Sequence, residues 1–312
     1  MRTLSLSITA DLAGRKVKTL LRRQLLLSES HIARVKLRDN GICLNGVRCR
    51  TVDTVKEGDV LTVEVGDTPA QFPNAADVPL NVVYEDADCA VIDKAAGMAC
   101  HGSTEKGEIT LAAALYHRWG GESAFHPVSR LDKGTSGLLC AARSGYAHTL
   151  FRQNLHTDNY IREYLLVCSP PPAEDEGIID LPIEKVEGSL SRHISPSGAP
   201  AKTEYKVLQA ENGRALLWAR LHTGRTHQIR LHFAAIGCPL VGDWLYGEES
   251  AEISRPALHS AYLSMVQPLS GETLEFYRPL PNDMAALAPS FGEAGVFEEN
   301  ISHCCCRQHI CL

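Results

Sequence analysis

Two rhythms of apolar residues divide the chain. Near the amino terminus, GRKVKTLLRRQLLL places Val17, Leu20, Leu21 and Leu25 on one side of a helix, with basic residues opposite. SESHIARVKLRDNG predicts a second helix, capped by Ser28 or Ser30 and stopped at Gly41. ICLNGVRCR predicts a hairpin turning at Asn45-Gly46, and VKEGDVLTVEV alternates as a strand. Together these elements predict a small α+β module over residues 1–66. The following stretch, GDTPAQFPNAADVPLN, carries Pro69, Pro73 and Pro79 without periodicity, so residues 67–81 read as a linker.

From Val82 the rhythm changes to strands with a few inserted helices. NVVYEDADCAVIDK, SGLLCAAR, YIREYLLVC, TEYKVLQA, RALLWARLH, ALHSAYLSM and ETLEFYR read as strands. TLAAALYHRW, YAHTLFRQNL and THQIRLHFAAIG read as helices, the last with Thr226 as its cap, Ile229, Phe233 and Ile236 on its buried face and Gly237 at its end. Many strands joined by short loops predict a second α+β unit over 82–290, built on a mixed, largely antiparallel sheet with flanking helices. Beyond it the pattern fades, and residues 291–312 read as a disordered tail.

Composition changes this picture little, but the distribution of charge does. The net charge is −6, yet residues 1–66 hold twelve Lys/Arg against seven Asp/Glu. A local basic face suffices to meet a polyanion on an otherwise acidic protein. The start, MRTLSLSITADLAGRK, contains no apolar run typical of a secretory signal, and no stretch is apolar enough to span a bilayer. A cytoplasmic protein without a membrane partner is expected. Of the eleven cysteines, Cys89, Cys140 and Cys168 fall in apolar runs, as small core residues do. Cys304, Cys305, Cys306 and Cys311, with His303 and His309, lack the paired spacing of a zinc site. His222, His227 and His232 recur at i, i+5, on different helix faces, so no metal is expected there either.

The chemistry concentrates in two stretches. FHPVSRLDKGTSGLLC sets one carboxylate, Asp132, two residues from Arg130, on a glycine-containing turn ahead of an apolar strand. LHTGRTHQIRLHFAAIG brings Arg225 and Arg230 to a strand-to-helix junction. A lone Asp framed by arginines suits a carboxylate nucleophile acting on an anionic polymer, because neighbouring cations keep it ionised. The same Asp could instead cap its turn or pair with Arg130. Neither a G-x-G-x-x-G fingerprint nor a phosphate-binding G-x-x-x-x-G-K-[ST] loop is present, so no nucleotide cofactor is expected.

In order along the chain, VVYEDADCAVIDKAAGMACH, PVSRLDKGTSGLLCAAR, IREYLLV, TGRTHQIRLHFAAIGCPLVGDWLYG and ALHSAYL resemble the motifs of the RluA-like RNA pseudouridine synthases. Ala95, Ser129 and Arg162 stand where that family usually has proline, histidine and lysine. The first 66 residues resemble the S-four-like RNA-binding module. The resemblance implies the pseudouridine synthase fold and isomerisation of uridine in ribosomal or transfer RNA, without a cofactor, by a monomer. It implies that Asp132 is the nucleophile, that Tyr164 lies against the flipped uracil, and that Arg225 holds the Asp132 carboxylate. RNA contacts are implied at Arg130, Lys94, His101, Arg162 and Arg230, and in the module at Arg22, Arg23, Arg34 and Lys36. Two other functions compete: a non-catalytic RNA-binding or ribosome-assembly protein that keeps the fold, and a nucleoside hydrolase with a carboxylate nucleophile.

Overall fold

A computed structural model describes residues 2–66, 77–102, 108–121 and 124–292. Residues 67–76 of the predicted linker 67–81 and residues 293–312 of the predicted tail 291–312 therefore lie outside the described residues. The amino-terminal part holds a four-stranded antiparallel sheet in the order β1 (Arg2–Ser7), β4 (Val60–Val65), β2 (Ile42–Leu44), β3 (Val47–Arg48). Its helices are α1 (Val17–Arg23) and α2 (Glu29–Val35). The Ser28 side chain caps α2 by accepting from the His31 N–H at 3.1 Å, as the sequence predicts. Asn45 and Gly46 take φ of 53° and 78°, the left-handed pair that closes a two-residue hairpin. At Gly41 only glycine fits, because a Cβ would lie 1.8 Å from the Val35 carbonyl oxygen.

The sequence reading missed β1, which pairs with β4 along its whole length. Its apolar residues are only half-buried, so its alternation is weak. Val17, Leu20 and Leu21 of α1, Ile32 and Val35 of α2, and Leu61 and Val63 of β4 form the core of this sheet. That core does not end at the module. Tyr146 and Leu150 of α4 (Gly145–Asn154) belong to the same cluster, and Arg2 pairs with Asp88 at 3.0 Å.

The large sheet has ten strands. Its main path runs β10 (Glu176–Asp180), β13 (Lys202–Glu211), β14 (Arg214–Leu221), β9 (Tyr160–Cys168), β15 (Leu258–Val266), β8 (Ser136–Ala142), β6 (Cys89–Lys94), β5 (Asn81–Glu85). β16 (Thr273–Tyr277) pairs with β15, and β7 (His126–Pro127) with β8. Among the described pairings only β8 and β15 run parallel, through His259 opposite Ser136 and Ser260 opposite Gly137. The architecture is therefore α+β with a mixed, mostly antiparallel sheet. At that seam Gly137 has φ +103°, and a Cβ would come within 2.2 Å of the Ser260 carbonyl oxygen. A side chain there would force the parallel pair apart.

Helices cover both faces of the sheet. Leu111, Ala112 and Leu115 of α3 (Leu111–Arg118) and Ile229 and Phe233 of α5 (Gln228–Ala235) pack on Ile92, Leu139, Tyr164 and Leu166. On the other face Phe151 of α4 packs on Val91, Cys140, Leu263 and Met265. Met284 of α6 (Asn282–Ala285) packs there against Leu165 and Val167. Every residue of β8 and β9 is buried, as central strands covered on both sides must be. Two short polar strands, β11 (Ile183–Lys185) and β12 (Arg192–Ile194), make a separate hairpin that no sequence pattern announces. No helix among the described residues is long and apolar enough to cross a membrane.

Candidate active site

Asp132 stands on the loop that carries β7 into β8, beside the parallel seam. The backbone of that loop is held from behind. Lys94 Nζ donates to the carbonyl oxygens of Ala95 at 2.8 Å, Met98 at 2.9 Å and Lys133 at 3.4 Å. The Gly97 N–H adds a bond to Lys133 O at 2.8 Å, and Arg255 reaches Gly134 O at 3.4 Å. Asp132 itself closes the turn, its carbonyl oxygen accepting from the Thr135 N–H at 3.1 Å. Lys94 is only 1% exposed, and burial pushes its ammonium down to about 8. Lys94, expected to contact RNA, has its ammonium engaged by three carbonyl oxygens of the loops around Asp132.

The carboxylate meets a different arginine from the one anticipated. Asp132 Oδ2 lies 3.6 Å from Arg230 Nη1, and its Oδ1 lies 3.8 Å from His227 Nε2. Arg230 also donates Nε and Nη2 to the two oxygens of Asp243, each at 2.6 Å. Asp243 is fully buried, and its Oδ1 accepts from the Leu245 N–H at 3.1 Å. Burial works against the Arg230 charge, but Asp243 and then Asp132 outweigh it and hold the guanidinium pKa above its usual value. Arg225 lines the same cavity, with its Nε donating to Pro200 O at 3.1 Å. Arg230, expected to contact RNA, is 5% exposed and engaged by two acids.

The physical reason for the exchange lies at the helix start. Helix α5 begins at Gln228, not Thr226, and its cap residue His227 has φ 59° with no side-chain cap bond. Arg225 therefore sits on the preceding loop. His227 and Arg230, three residues apart, come to the same side and face Asp132. The buried Gln228 amide replaces the missing cap. Its oxygen accepts from Arg225 N–H at 3.0 Å and Thr223 Oγ1 at 2.8 Å, and its nitrogen donates to Lys202 O and Thr203 Oγ1, each at 3.0 Å. His227 keeps its ring in place with Nδ1 3.0 Å from the Tyr246 hydroxyl. Burial lowers its pKa, with Asp132 opposing, so the ring favours its neutral form. His222 and His232 turn to Glu204 and Leu181 O, away from any shared point.

Asp132 opens into a cavity of about 740 Å³. Tyr164, 5% exposed, and Arg162 lie two residues apart on β9 and both reach it. Burial raises the Tyr164 phenol pKa, Arg162 opposes that, and Asp132 adds to it. Arg130 and His101 are exposed at the lining, and the His101 ring stands edge-on to Phe125 at 4.8 Å. Six Lys/Arg side chains line the space, against the single carboxylate of Asp132. In the amino-terminal part Arg22, Arg23, Arg34 and Lys36 are all exposed, with Arg22 3.0 Å from Glu29. Among the described residues no group of three His, Cys, Asp or Glu side chains is placed to hold a metal ion.

The family pattern described as RNA pseudouridylate synthase matches residues 88–235. A Bacillus subtilis protein, the uncharacterized RNA pseudouridine synthase YjbO, is 34% identical over 269 residues, covering 85% of this chain and 95% of its own. The chain belongs to the RNA pseudouridine synthase family. Its members are isomerases. Ribosomal large subunit pseudouridine synthase D of Xanthomonas campestris is 34% identical over 268 residues, covering 80% of this synthase and 81% of that protein. Among solved structures, human RNA Pseudouridylate Synthase Domain Containing 1 superposes with a TM-score of 0.54 at 26% identity, covering 69% of this chain and 87% of that one. These likenesses place the synthase by family and fold; the roles of its individual side chains are matters for the geometry.

Proposed function

We propose that this synthase isomerises a uridine of structured RNA, drawn out of its stack into the cavity, with Asp132 as the reacting carboxylate. The relatives named for the large ribosomal subunit make that RNA the first substrate class to test. The observation that carries the reading is the environment of Asp132: a partly open carboxylate, charge-paired at 3.6 Å to a buried arginine, at the edge of a cationic cavity beside a buried tyrosine.

In the reaction the N1–C1′ bond breaks, uracil turns over while held, and a C5–C1′ bond forms. The C5 proton goes to solvent and N1 gains one, so atoms and electrons balance without a co-reactant. Asp132 either attacks C1′ or removes a ribose proton, and the Arg230 guanidinium at 3.6 Å aligns its carboxylate for either step. Tyr164 supplies an aromatic face for the base. The loop clamp by Lys94 and the Asp243–Arg230 pair keep the carboxylate from moving during the exchange. The module's exposed arginines supply a second, sequence-independent grip on phosphates.

Tritium at uracil C5 leaves to solvent only if the base is transferred, so it reports the chemistry directly. With C5-tritiated large-subunit ribosomal RNA, Asp132→Asn is expected to release no tritium while binding the RNA as tightly as the parent protein. Release at the parent rate would remove Asp132 from the mechanism. A parent protein that binds the RNA yet releases nothing from ribosomal or transfer RNA would favour the rival function, a non-catalytic assembly factor.

A further inference from the structure

Among the described residues, Arg162 is the one cation in the cavity wall that is deeply buried and has no ion pair. It is 5% exposed, and its Nε and Nη2 have no hydrogen-bond partner. Its guanidinium carbon lies 5.9 Å from the centre of the Tyr160 ring, a weak contact for a desolvated charge. Burying an unpaired guanidinium is unfavourable unless something of opposite charge arrives to match it. By contrast Lys133 pairs with Glu108 at 3.1 Å and Arg230 pairs with two acids.

Other basic side chains crowd Arg162. A Cβ built on Gly224 would stand 3.2 Å from Arg162 Nη1 and 3.7 Å from His156 Cε1, which sets guanidinium and imidazole side by side. Gly224 and Arg162 both line the cavity. Arg152 of α4 and Arg225 also line the cavity. Burial lowers the His156 pKa first, and the charges that add to the effect are Arg162, Arg225 and Arg152, with no carboxylate among them. The nearby Asp158 is turned to Arg220 at 3.5 Å.

We propose that Arg162, Arg152, Arg225 and His156 form a seat for one backbone phosphate of the bound RNA. The seat is separate from the Asp132–Arg230 pair, and its RNA identity rests on the function proposed above. It suits a group carrying several acceptor oxygens, because the guanidinium of Arg162 and those of the exposed Arg152 and Arg225 can each donate to a different oxygen. Its position two residues from Tyr164 on β9 makes it a grip on the nucleotide chain that threads the cavity, rather than on the base.

Inorganic phosphate probes the seat without RNA. In thermal melts of the full chain at constant ionic strength, phosphate is expected to raise the melting temperature of the parent protein saturably. Arg162→Met should abolish that rise and should itself melt no lower than the parent, since an unmatched buried charge has been removed. In filter binding of an unmodified large-subunit ribosomal RNA transcript, Arg162→Met should weaken affinity about ten- to hundredfold and lower the salt slope by about one. Arg152→Gln, a change on an exposed side chain, should move the slope the same way with the melting temperature unchanged. No rise in the parent, a rise that survives Arg162→Met, or salt slopes unchanged in both variants would each overturn the seat. Failure of the isomerase reading would show separately, as absent tritium release, and would leave the phosphate melts as they are.

Discussion

At the scale of single residues the site turns on which cation holds Asp132, and the structure favours Arg230 over Arg225. The two predict opposite mutational signatures. Arg230→Met strands a fully buried Asp243 and a half-buried Asp132, so it should cost about 3–5 kcal/mol in urea unfolding and at least a hundredfold in tritium release. Arg225→Ala loses one hydrogen bond to a carbonyl and an exposed charge, so it should leave stability within about 1 kcal/mol and act mainly on RNA affinity. A larger activity loss from Arg225→Ala than from Arg230→Met would reverse the assignment. Asp132 could be singled out in the sequence as a lone acid among arginines ahead of an apolar strand, whereas Tyr164 was named only through the resemblance of IREYLLV to a family motif. The contact with Arg230 was not legible, since it depends on a helix whose cap falls one residue late and on His227 adopting a left-handed backbone. Nor can sequence show that Lys94 spends its charge on carbonyl oxygens.

At the scale of elements, the long strands and helices were readable because their burial gives a clean period; nine continuous buried residues in β9 leave little choice. Elements β1, β11 and β12 escaped because they are short or polar at the edge, where pairing partners rather than side chains decide the conformation. The element with most consequence is α4. Tyr146 and Leu150 close the core of the amino-terminal sheet, Phe151 packs on the large sheet, and His148, Arg152 and Leu155 reach the cavity. Leu150→Ala should therefore cost roughly 2–4 kcal/mol. It should also speed hydrogen exchange in α1 and in α4 together. Faster exchange in α4 alone would mean that the two cores are energetically separate.

At the scale of the whole molecule, the basic amino-terminal part is joined to the catalytic sheet by shared packing, which no boundary in composition reveals. Deleting residues 1–66 would uncover Tyr146 and Leu150 and so mix loss of fold with loss of binding. Charge changes separate the two. Replacing Arg22, Arg23, Arg34 and Lys36 by Gln should leave unfolding within about 1 kcal/mol while flattening the salt dependence of RNA binding by as much as three in the log–log slope. An unaltered slope would end the case for an RNA face on this module. The helix shared between the two cores has a further effect. On the function proposed above, an RNA held both by the amino-terminal arginines and in the cavity would span the packing at α4, so the distance between its two grips would be set by that shared core. A target would then be chosen by whether its fold offers a handle and a loose nucleotide at the matching separation.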